Sequence, residues 1–335
     1  MAQLPRPKKQ RSGGGGGGVK FKCKVAALCA ACVMFGQLID SRKTSDFQRV
    51  DNNEQKVCGI LHSNPLFNSP KLSEIEEFPW VVAINYRQNG GKKKKVDSFR
   101  CLGSLITDMH ILTSASCVDV DWWLLSIDSV RVGKYNIQDT GLECVNNLSG
   151  GECTASSLNV PVEEIIIFDT YDPITLMDNV AIIKLNQSVT YTDYVRPICW
   201  KGLKQSHETY SNLKYNYTYW TSGFSMEDNF VIIKKPDRWE IADEECDTRL
   251  AHYFEIEEYN ITSHTMCTRD APTTKSKCIM DTGSPLFYRS SSNGRWFQRG
   301  ISSFNTNCSE NNAVTNYARL EDYEDWIDDT VTRLT

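Results

Sequence analysis

Short apolar runs separated by turn residues recur along this chain from Phe78 to its end. They are rich in β-branched and aromatic residues, as in WVVAINY and PVEEIIIF, and Gly, Asn, Asp or Ser residues bound most of them. Many short strands with turns between them indicate an all-β sandwich or barrel. The pattern predicts strands over residues 80–86, 104–114, 124–133, 161–168, 179–185, 229–234 and 296–304.

In the last segment the apolar residues recur at a different period from that of a strand. Apolar side chains in residues 319–334 follow helical spacing and would lie on one face of a helix. We therefore expect a C-terminal amphipathic helix whose apolar face carries Leu320, Tyr323, Trp326, Ile327 and Val331.

Three segments precede the strands. Residues 1–24 are basic and contain a six-glycine tract, and residues 40–77 are a polar linker with one cysteine, Cys58. Between them, residues 25–39 form an apolar run. Such a run suits a signal peptide, because a membrane span needs about 20 apolar residues. We predict a signal peptide, with an uncleaved type II anchor as the alternative, and one folded domain over residues 78–335.

Ten of the 13 cysteines lie outside the apolar run and its basic lead. An even number of cysteines in a β-rich domain predicts disulfides and an oxidising compartment. Zinc is the rival interpretation, but these ten show no CxxC spacing and the chain has no HxxxH motif. Sequons for N-glycosylation also fit a secreted glycoprotein; they begin at Asn147, Asn186, Asn216 and Asn260.

The formal net charge of −5 is mild. A nucleic-acid-binding protein usually carries a concentrated basic surface, so we expect no nucleic-acid partner. Hydrophobic residues make up 40% of the chain, which is enough to form a packed core rather than a disordered chain.

Several blocks together resemble the trypsin/chymotrypsin-like serine proteases. They are FPWVVAI, CLGSLITDMHILTSASC, DNVAIIKL, VRPIC, SGF, CIMDTGSPLF, GISSF and YARLEDYEDWI, in the order and spacing of that family. Residues 132–173 further resemble arthropod clip-domain proteases. A clip module needs six cysteines, and only Cys58 lies between the apolar run and Phe78, so we expect no clip domain. The resemblance implies two Greek-key six-stranded β-barrels and a C-terminal α-helix.

The family's disulfides carry over to this chain through the resemblance. It implies the pairs Cys101–Cys117, Cys246–Cys267 and Cys278–Cys308, a local pair Cys144–Cys153, and Cys58–Cys199 between linker and domain.

The resemblance also places the catalytic triad, and two of its members are replaced. The histidine position holds Ser116 and the nucleophile position holds Thr282, whereas the orienting acid is assigned to Asp178. A serine hydroxyl cannot act as a base near neutral pH, and a threonine nucleophile needs a base or an amine to activate it. His110 lies six residues before Ser116, and we interpret it as an ordinary strand residue. We therefore predict an inactive homologue.

Other parts of the site also depart from the family. Met280 replaces a glycine of the oxyanion turn, whose backbone we expect to differ, and the next residue, Asp281, is kept. In the specificity pocket, Ser276 aligns with the floor, and Asn305 and Thr315 align with walls that are usually glycine. Residues 66–70, LFNSP, lack the basic residue after which family members are cleaved for activation.

Three functions remain open from the sequence. The first is a secreted non-catalytic homologue that binds a protease, a zymogen or a microbial surface, as a cofactor or decoy in an extracellular cascade such as arthropod immunity or melanisation. The second is an atypical active serine/threonine-type endopeptidase. The third is a membrane-tethered adhesion or receptor-like protein, which requires that residues 25–39 stay uncleaved. We expect no cofactor and no metal site.

Overall fold

The computed structural model describes fifteen stretches of the chain, all within one compact unit over residues 53–335. They are residues 57–61, 77–89, 98–121, 124–134, 136–137, 144–147, 150–153, 157–203, 219–225, 232–255, 264–270, 279–280, 282–291, 293–306 and 314–335. The predicted segments 1–24 and 25–39 lie outside these stretches, as does most of the linker, so their boundaries stay predictions.

Six antiparallel strands close the first barrel, in the order β1-β2-β3-β8-β7-β4. A one-turn helix, α1 (Ala115–Val118), follows β3, and a separate hairpin of β5 and β6 lies between β4 and β7. The strands are β1 (Val81–Gln88), β2 (Ser98–Leu105), β3 (His110–Thr113), β4 (Leu125–Val132), β5 (Cys144–Asn147), β6 (Gly150–Cys153), β7 (Leu158–Ile167) and β8 (Ala181–Leu185).

The second barrel follows the order β10-β11-β15-β14-β13-β9, and pairing of β10 with β9 closes it. The two-residue strand β12 pairs with the end of β9. The strands are β9 (Tyr219–Ser225), β10 (Ile232–Glu240), β11 (Thr265–Asp270), β12 (Ile279–Met280), β13 (Pro285–Arg289), β14 (Trp296–Asn305) and β15 (Val314–Arg319). Two helices complete the fold, α2 (Asp243–Phe254) and α3 (Glu324–Leu334). The predicted class of two six-stranded barrels with a C-terminal helix is confirmed.

Strand β1 shows why its apolar run is continuous rather than alternating. Successive side chains of a strand point to opposite faces. Here Val82 and Ile84 pack inside the first barrel, whereas Val81 and Ala83 pack in the core shared by the two barrels. Both faces of β1 are therefore buried, and both need apolar residues.

Aromatic rings from both barrels fill the shared core. Trp80 of the first barrel lies edge-on to Phe287 of the second, with ring centroids 5.6 Å apart, and Trp296 packs against both rings. All three side chains are buried. Rings of this size bury much apolar surface, so the two barrels are joined by a packed core.

The predicted strand over residues 104–114 is wrong in one respect, because the structure divides it. Strand β2 ends at Leu105 and β3 begins at His110. Between them the Thr107 hydroxyl accepts hydrogen bonds from the backbone N–H groups of Met109 and His110, both at 3.1 Å. A Thr side chain that bonds nearby backbone favours a turn over a continuous strand.

Three of the five implied disulfides are present: Cys58–Cys199, Cys101–Cys117 and Cys246–Cys267. Cys144 and Cys153 stand opposite each other in the β5–β6 hairpin, and that pair remains a prediction. Cys278 and Cys308 lie outside the described residues.

Candidate active site

Ser116 lies in helix α1, at the border between the two barrels, and its closest polar neighbour is Asn179. The Ser116 backbone N–H donates to Asn179 Oδ1 at 2.7 Å, and Asn179 Nδ2 donates to Ser116 Oγ at 3.1 Å. Asn179 Nδ2 also donates to Ser303 Oγ of β14 at 2.6 Å. One buried amide thus connects Ser116 of the first barrel to Ser303 of the second.

The assignment of Asp178 as the residue that orients position 116 is therefore wrong. The residue that contacts Ser116 through its backbone and its hydroxyl is Asn179, one position later. Asp178 has a left-handed backbone, with φ of 51°. Its carboxylate instead bonds to Thr170, His264 and Tyr323.

The Asp178 carboxylate belongs to a separate cluster that joins the two barrels. Its Oδ1 lies 2.9 Å from His264 Nδ1 and accepts the Tyr323 hydroxyl at 2.8 Å, and its Oδ2 accepts the Thr170 hydroxyl at 2.5 Å. Burial alone would raise the pKa of Asp178, but the hydrogen bonds from Thr170, His264 and Tyr323 outweigh it and lower that pKa. Burial, and then the neighbouring Asp178 charge, raise the pKa of the Tyr323 hydroxyl. The cluster thus holds an ionised carboxylate beside the site, bonded away from Ser116.

The Ser116–Asn179 pair cannot perform the acid–base work of a triad. A general base must take a proton near neutral pH, and a serine hydroxyl does not. A carboxylate in the orienting position stabilises the imidazolium that forms during the reaction. The Asn179 amide is neutral, so it supplies no such charge even where its hydrogen bonds are well placed.

Thr282 occupies a turn that is held by both barrels. Its carbonyl accepts a hydrogen bond from Leu102 N at 2.9 Å, and the following Gly283 donates to Ser302 O at 2.7 Å. Gly283 has φ of 80°, and a Cβ there would lie 2.2 Å from Leu102 O and 2.4 Å from Thr113 Oγ1. Only glycine fits at position 283, so the turn lies close against strands β2 and β3 of the first barrel.

Met280 has strand geometry rather than that of a glycine turn. It ends β12 and pairs with Phe224 of β9. The next residue, Asp281, lies outside the described residues. Two backbone N–H groups near the nucleophile normally stabilise the oxyanion in acyl transfer. The expected change in the oxyanion turn stays a prediction.

A polar relay crosses the predicted walls of the specificity pocket. Asn305 ends β14 and faces Thr315 of β15 in the strand pairing. The Thr315 hydroxyl donates to Asn305 Oδ1 and accepts from the Arg238 guanidinium at 2.6 Å. Arg238 and Thr315 are each 3% exposed. The predicted floor residue, Ser276, lies outside the described residues.

Comparison with known proteins places this geometry in a family. The family profile described as Trypsin matches residues 70–327. The chain belongs to the trypsin family. It is 24% identical to CLIP domain-containing serine protease B9 of Anopheles gambiae, over 82% of this chain and 65% of that protein. It is 25% identical to the Spaetzle-processing enzyme of Drosophila melanogaster, over 90% of this chain and 76% of that protein.

The solved structure of the Drosophila Grass clip serine protease of the Toll pathway has the same fold. Its TM-score is 0.66 at 22% identity, over 82% of this chain and 74% of the other. The chain spans about two thirds of the length of the Anopheles relative, which it covers to 65%. The trypsin-family domain is therefore what these comparisons share.

The described histidines of this trypsin-family domain occupy three different environments. His110 is buried in β3 opposite Lys184, with its Nδ1 2.7 Å from the Thr107 hydroxyl. Burial, and then the Lys184 charge, lower the pKa of His110 from 6.5 to about 4. His264 bonds to Asp178, and His252 is exposed in the last turn of α2. His62 and His207 lie outside the described residues.

Sequence reasoning missed Asn179, Ser303, His264 and Arg238. In the block DNVAIIKL the orienting role was assigned to the only carboxylate, whereas the next residue, Asn179, contacts Ser116. Ser303 lies within the predicted strand of residues 296–304 as one of two adjacent serines, and no local motif connects His264 to a residue 86 positions away. These contacts depend on how the two barrels pack.

Some remaining predictions concern residues around the domain. Asn186 is exposed, as a glycosylated residue must be, and Asn147 ends β5; Asn216 and Asn260 lie outside the described residues.

Within the described ranges, no group of three His, Cys, Asp or Glu side chains suits a metal ion. In that same part of the chain, no helix is long and apolar enough to cross a bilayer.

Proposed function

We propose that this trypsin-family chain is a non-catalytic homologue that acts by binding. The observation that carries the proposal is the contact of half-buried Ser116 with buried Asn179 and Ser303, in which hydrogen bonds connect two hydroxyls and an amide. Neither Ser116 nor Asn179 carries a group that titrates near neutral pH. These two positions thus supply neither a base nor an orienting charge.

Changes outside the triad support the same conclusion. Met280 pairs within a sheet instead of shaping a glycine turn. The aligned activation stretch, residues 66–70, offers no basic residue for cleavage. Because base, orienting charge, nucleophile and oxyanion turn all differ, restoring chemistry at the site would require several simultaneous changes.

The relatives suggest the setting in which binding would occur. One is named for processing Spaetzle and another is named the Proclotting enzyme of Tachypleus tridentatus. We propose a protein partner in such an extracellular cascade, namely a protease or a zymogen, or else a microbial surface. Three disulfides fit an oxidising compartment, so we propose secretion, with residues 25–39 as the signal peptide.

Hydrolysis of a mixed peptide library tests the proposal. We expect any products that form with the purified full-length chain to match those of its Thr282→Ala variant. The match should hold in identity and in rate at every pH from 6 to 9. The reason is that no group at the site activates the threonine hydroxyl. The products would be identified by mass spectrometry, which requires no assumption about specificity.

The matched control is a variant that keeps the site and changes a distant exposed residue, Leu158→Ser. Peptide cleavage by the unmodified chain and by Leu158→Ser that disappears in Thr282→Ala would contradict the proposal. That result would favour the atypical endopeptidase instead.

A further inference from the structure

We propose that two copies of this chain associate symmetrically through a surface of the second barrel. That surface, called here the Trp239 patch, consists of Trp239 on β10, Arg269 on β11, and Glu245 and Arg249 on α2. The inference goes beyond the proposed function, because it concerns a surface and does not depend on whether the candidate site hydrolyses anything.

Strand β10 directs an aromatic residue outward and charged residues inward. Successive side chains of a strand point to opposite faces. Here Arg238 is 3% exposed and Glu240 is 9% exposed, whereas Trp239 between them is 49% exposed. Because a tryptophan can bury ~150–250 Å² of surface, its half-exposed ring leaves on the order of 100 Å² in water. This is the reverse of the pattern that packing alone would favour.

Bonds inside the barrel fix the register that places Trp239 outside. Arg238 donates to Thr268 Oγ1 at 2.8 Å, and Glu240 Oε1 lies 3.5 Å from Arg319 Nη1. A slip of one residue would exchange the two faces of the strand and take both charged side chains away from these neighbours. The buried charges therefore hold the indole on the outer face of the strand.

Charged side chains of both signs continue the patch. Arg269 stands directly opposite Trp239 in the strand pairing, so both side chains lie on the same face. Arg269 Nη1 lies 3.8 Å from Glu245 Oε1, and Arg249 Nη2 donates to that same oxygen at 2.6 Å. The contacts thus follow the order Trp239, Arg269, Glu245, Arg249.

This order is complementary to itself. A two-fold axis joins the same surface of two copies, so that each unlike pair of residues forms twice. When two patches meet in opposite directions, Arg269 of each copy faces Glu245 of the other. At both ends, an Arg249 guanidinium faces a Trp239 ring, which is a cation–π contact. A partner of a single charge sign would oppose either the arginines or the glutamate, whereas a second copy matches all four residues.

The internal contact that this exchange gives up is a weak one. Arg269 and Glu245 are separated by 3.8 Å, whereas a charge-assisted hydrogen bond usually measures ~2.7–2.9 Å. Their side chains are 44% and 38% exposed, and exposed ion pairs contribute little stability. Since four residues are fewer than the ~20–30 on each side of a stable interface, we expect a weak dimer, with a dissociation constant on the order of 10 µM.

Sedimentation velocity of the purified full-length chain, from about 1 to about 200 µM, measures this association. Replacing the ring in Trp239→Ser should weaken it at least tenfold, because a central aromatic residue carries much of the energy of a small interface. The matched control is Ile174→Ser, which removes an apolar side chain that is 82% exposed outside the patch and should leave association unchanged. Both positions are exposed, so both variants should fold, and thermal unfolding checks that.

Two charge reversals test the symmetric pairing. Arg269→Glu sets two glutamates against each other at both pairs of the dimer, and Glu245→Arg does the same with two arginines. Each variant should therefore associate with itself at least tenfold more weakly than the unmodified chain. A mixture of the two variants restores opposite charges at both pairs, so a mixed dimer should form, detected by sedimentation of one fluorescently labelled variant in the presence of the other.

Four outcomes would overturn the inference. An unmodified chain that stays monomeric at the highest concentration removes it outright. Unchanged association in Trp239→Ser, or equal weakening in Ile174→Ser, would place the contact elsewhere on the molecule. A mixture of the charge variants that associates no better than either variant alone would show that Arg269 and Glu245 do not face each other across a two-fold axis.

Discussion

A chain with its histidine and serine restored should still react about 10⁴-fold more slowly when it keeps Asn179 than when it carries Asn179→Asp. That factor is the usual effect of replacing a triad aspartate by asparagine, which leaves the imidazole in the wrong tautomer. The background for both is Ser116→His, Met280→Gly and Thr282→Ser. The measurement is the rate of active-site acylation by an activated ester.

The structure offers a matched control for this prediction, because Asp178 is adjacent and bonds elsewhere. In the background that carries Asn179→Asp, adding Asp178→Asn should change the acylation rate less than tenfold. A large effect at position 178 with none at position 179 would show that the orienting position has been assigned to the wrong residue. Equal rates with Asn and Asp at position 179 would contradict the account as well.

The chain should lose stability on acidification through His110, by about 2 kcal/mol between pH 7 and pH 4.5. The pKa of His110 is lowered from 6.5 to about 4, by burial and then by the Lys184 charge. The unfolded chain therefore binds a proton below pH 6.5, whereas the folded chain stays neutral at this position until about pH 4. Stability contributed by the neutral form is present above pH 6.5 and is lost as the pH falls towards 4.

The variant His110→Asn isolates that contribution. Its side-chain amide can meet the Thr107 hydroxyl but does not titrate in this range. Urea unfolding at both pH values should show a smaller loss of unfolding free energy in the variant than in the unmodified chain. Carboxylates titrate in both proteins, so they cancel in the comparison. Identical pH dependence would mean that His110 becomes protonated without cost in the folded state.

The hydrophobic pattern alone predicted much of the first barrel. Runs such as residues 124–133 and 161–168 became β4 and β7 because alternating or continuous apolar residues suit strands buried on one or both faces. The pattern did not predict strands β11 and β15, because buried Thr, Asn and Arg residues interrupt their apolar runs. Two of these side chains, Thr268 and Thr315, accept hydrogen bonds from Arg238 within the second barrel.

The sequence identified the types of residue at the candidate site but not which of two adjacent residues contacts Ser116. Ser116 and Thr282 stand out because they replace residues that a hydrolase needs. Asp178 and Asn179 are adjacent, and only the folded structure shows that Asn179 contacts Ser116 while Asp178 has a left-handed backbone. The clusters around His264 and Arg238 are assembled from strands distant in the chain, so only the packed barrels bring them together.

The most direct test of the central claim, that this site does not activate a nucleophile, is labelling by a fluorophosphonate probe followed by intact-mass measurement. The probe reports any activated hydroxyl, whatever the substrate specificity. The restored variant with His, Asp, Gly and Ser at positions 116, 179, 280 and 282 serves as the positive control. The account predicts that the unmodified chain keeps its mass while the restored variant gains one probe. An added probe on the unmodified chain, absent from Thr282→Ala, would contradict it.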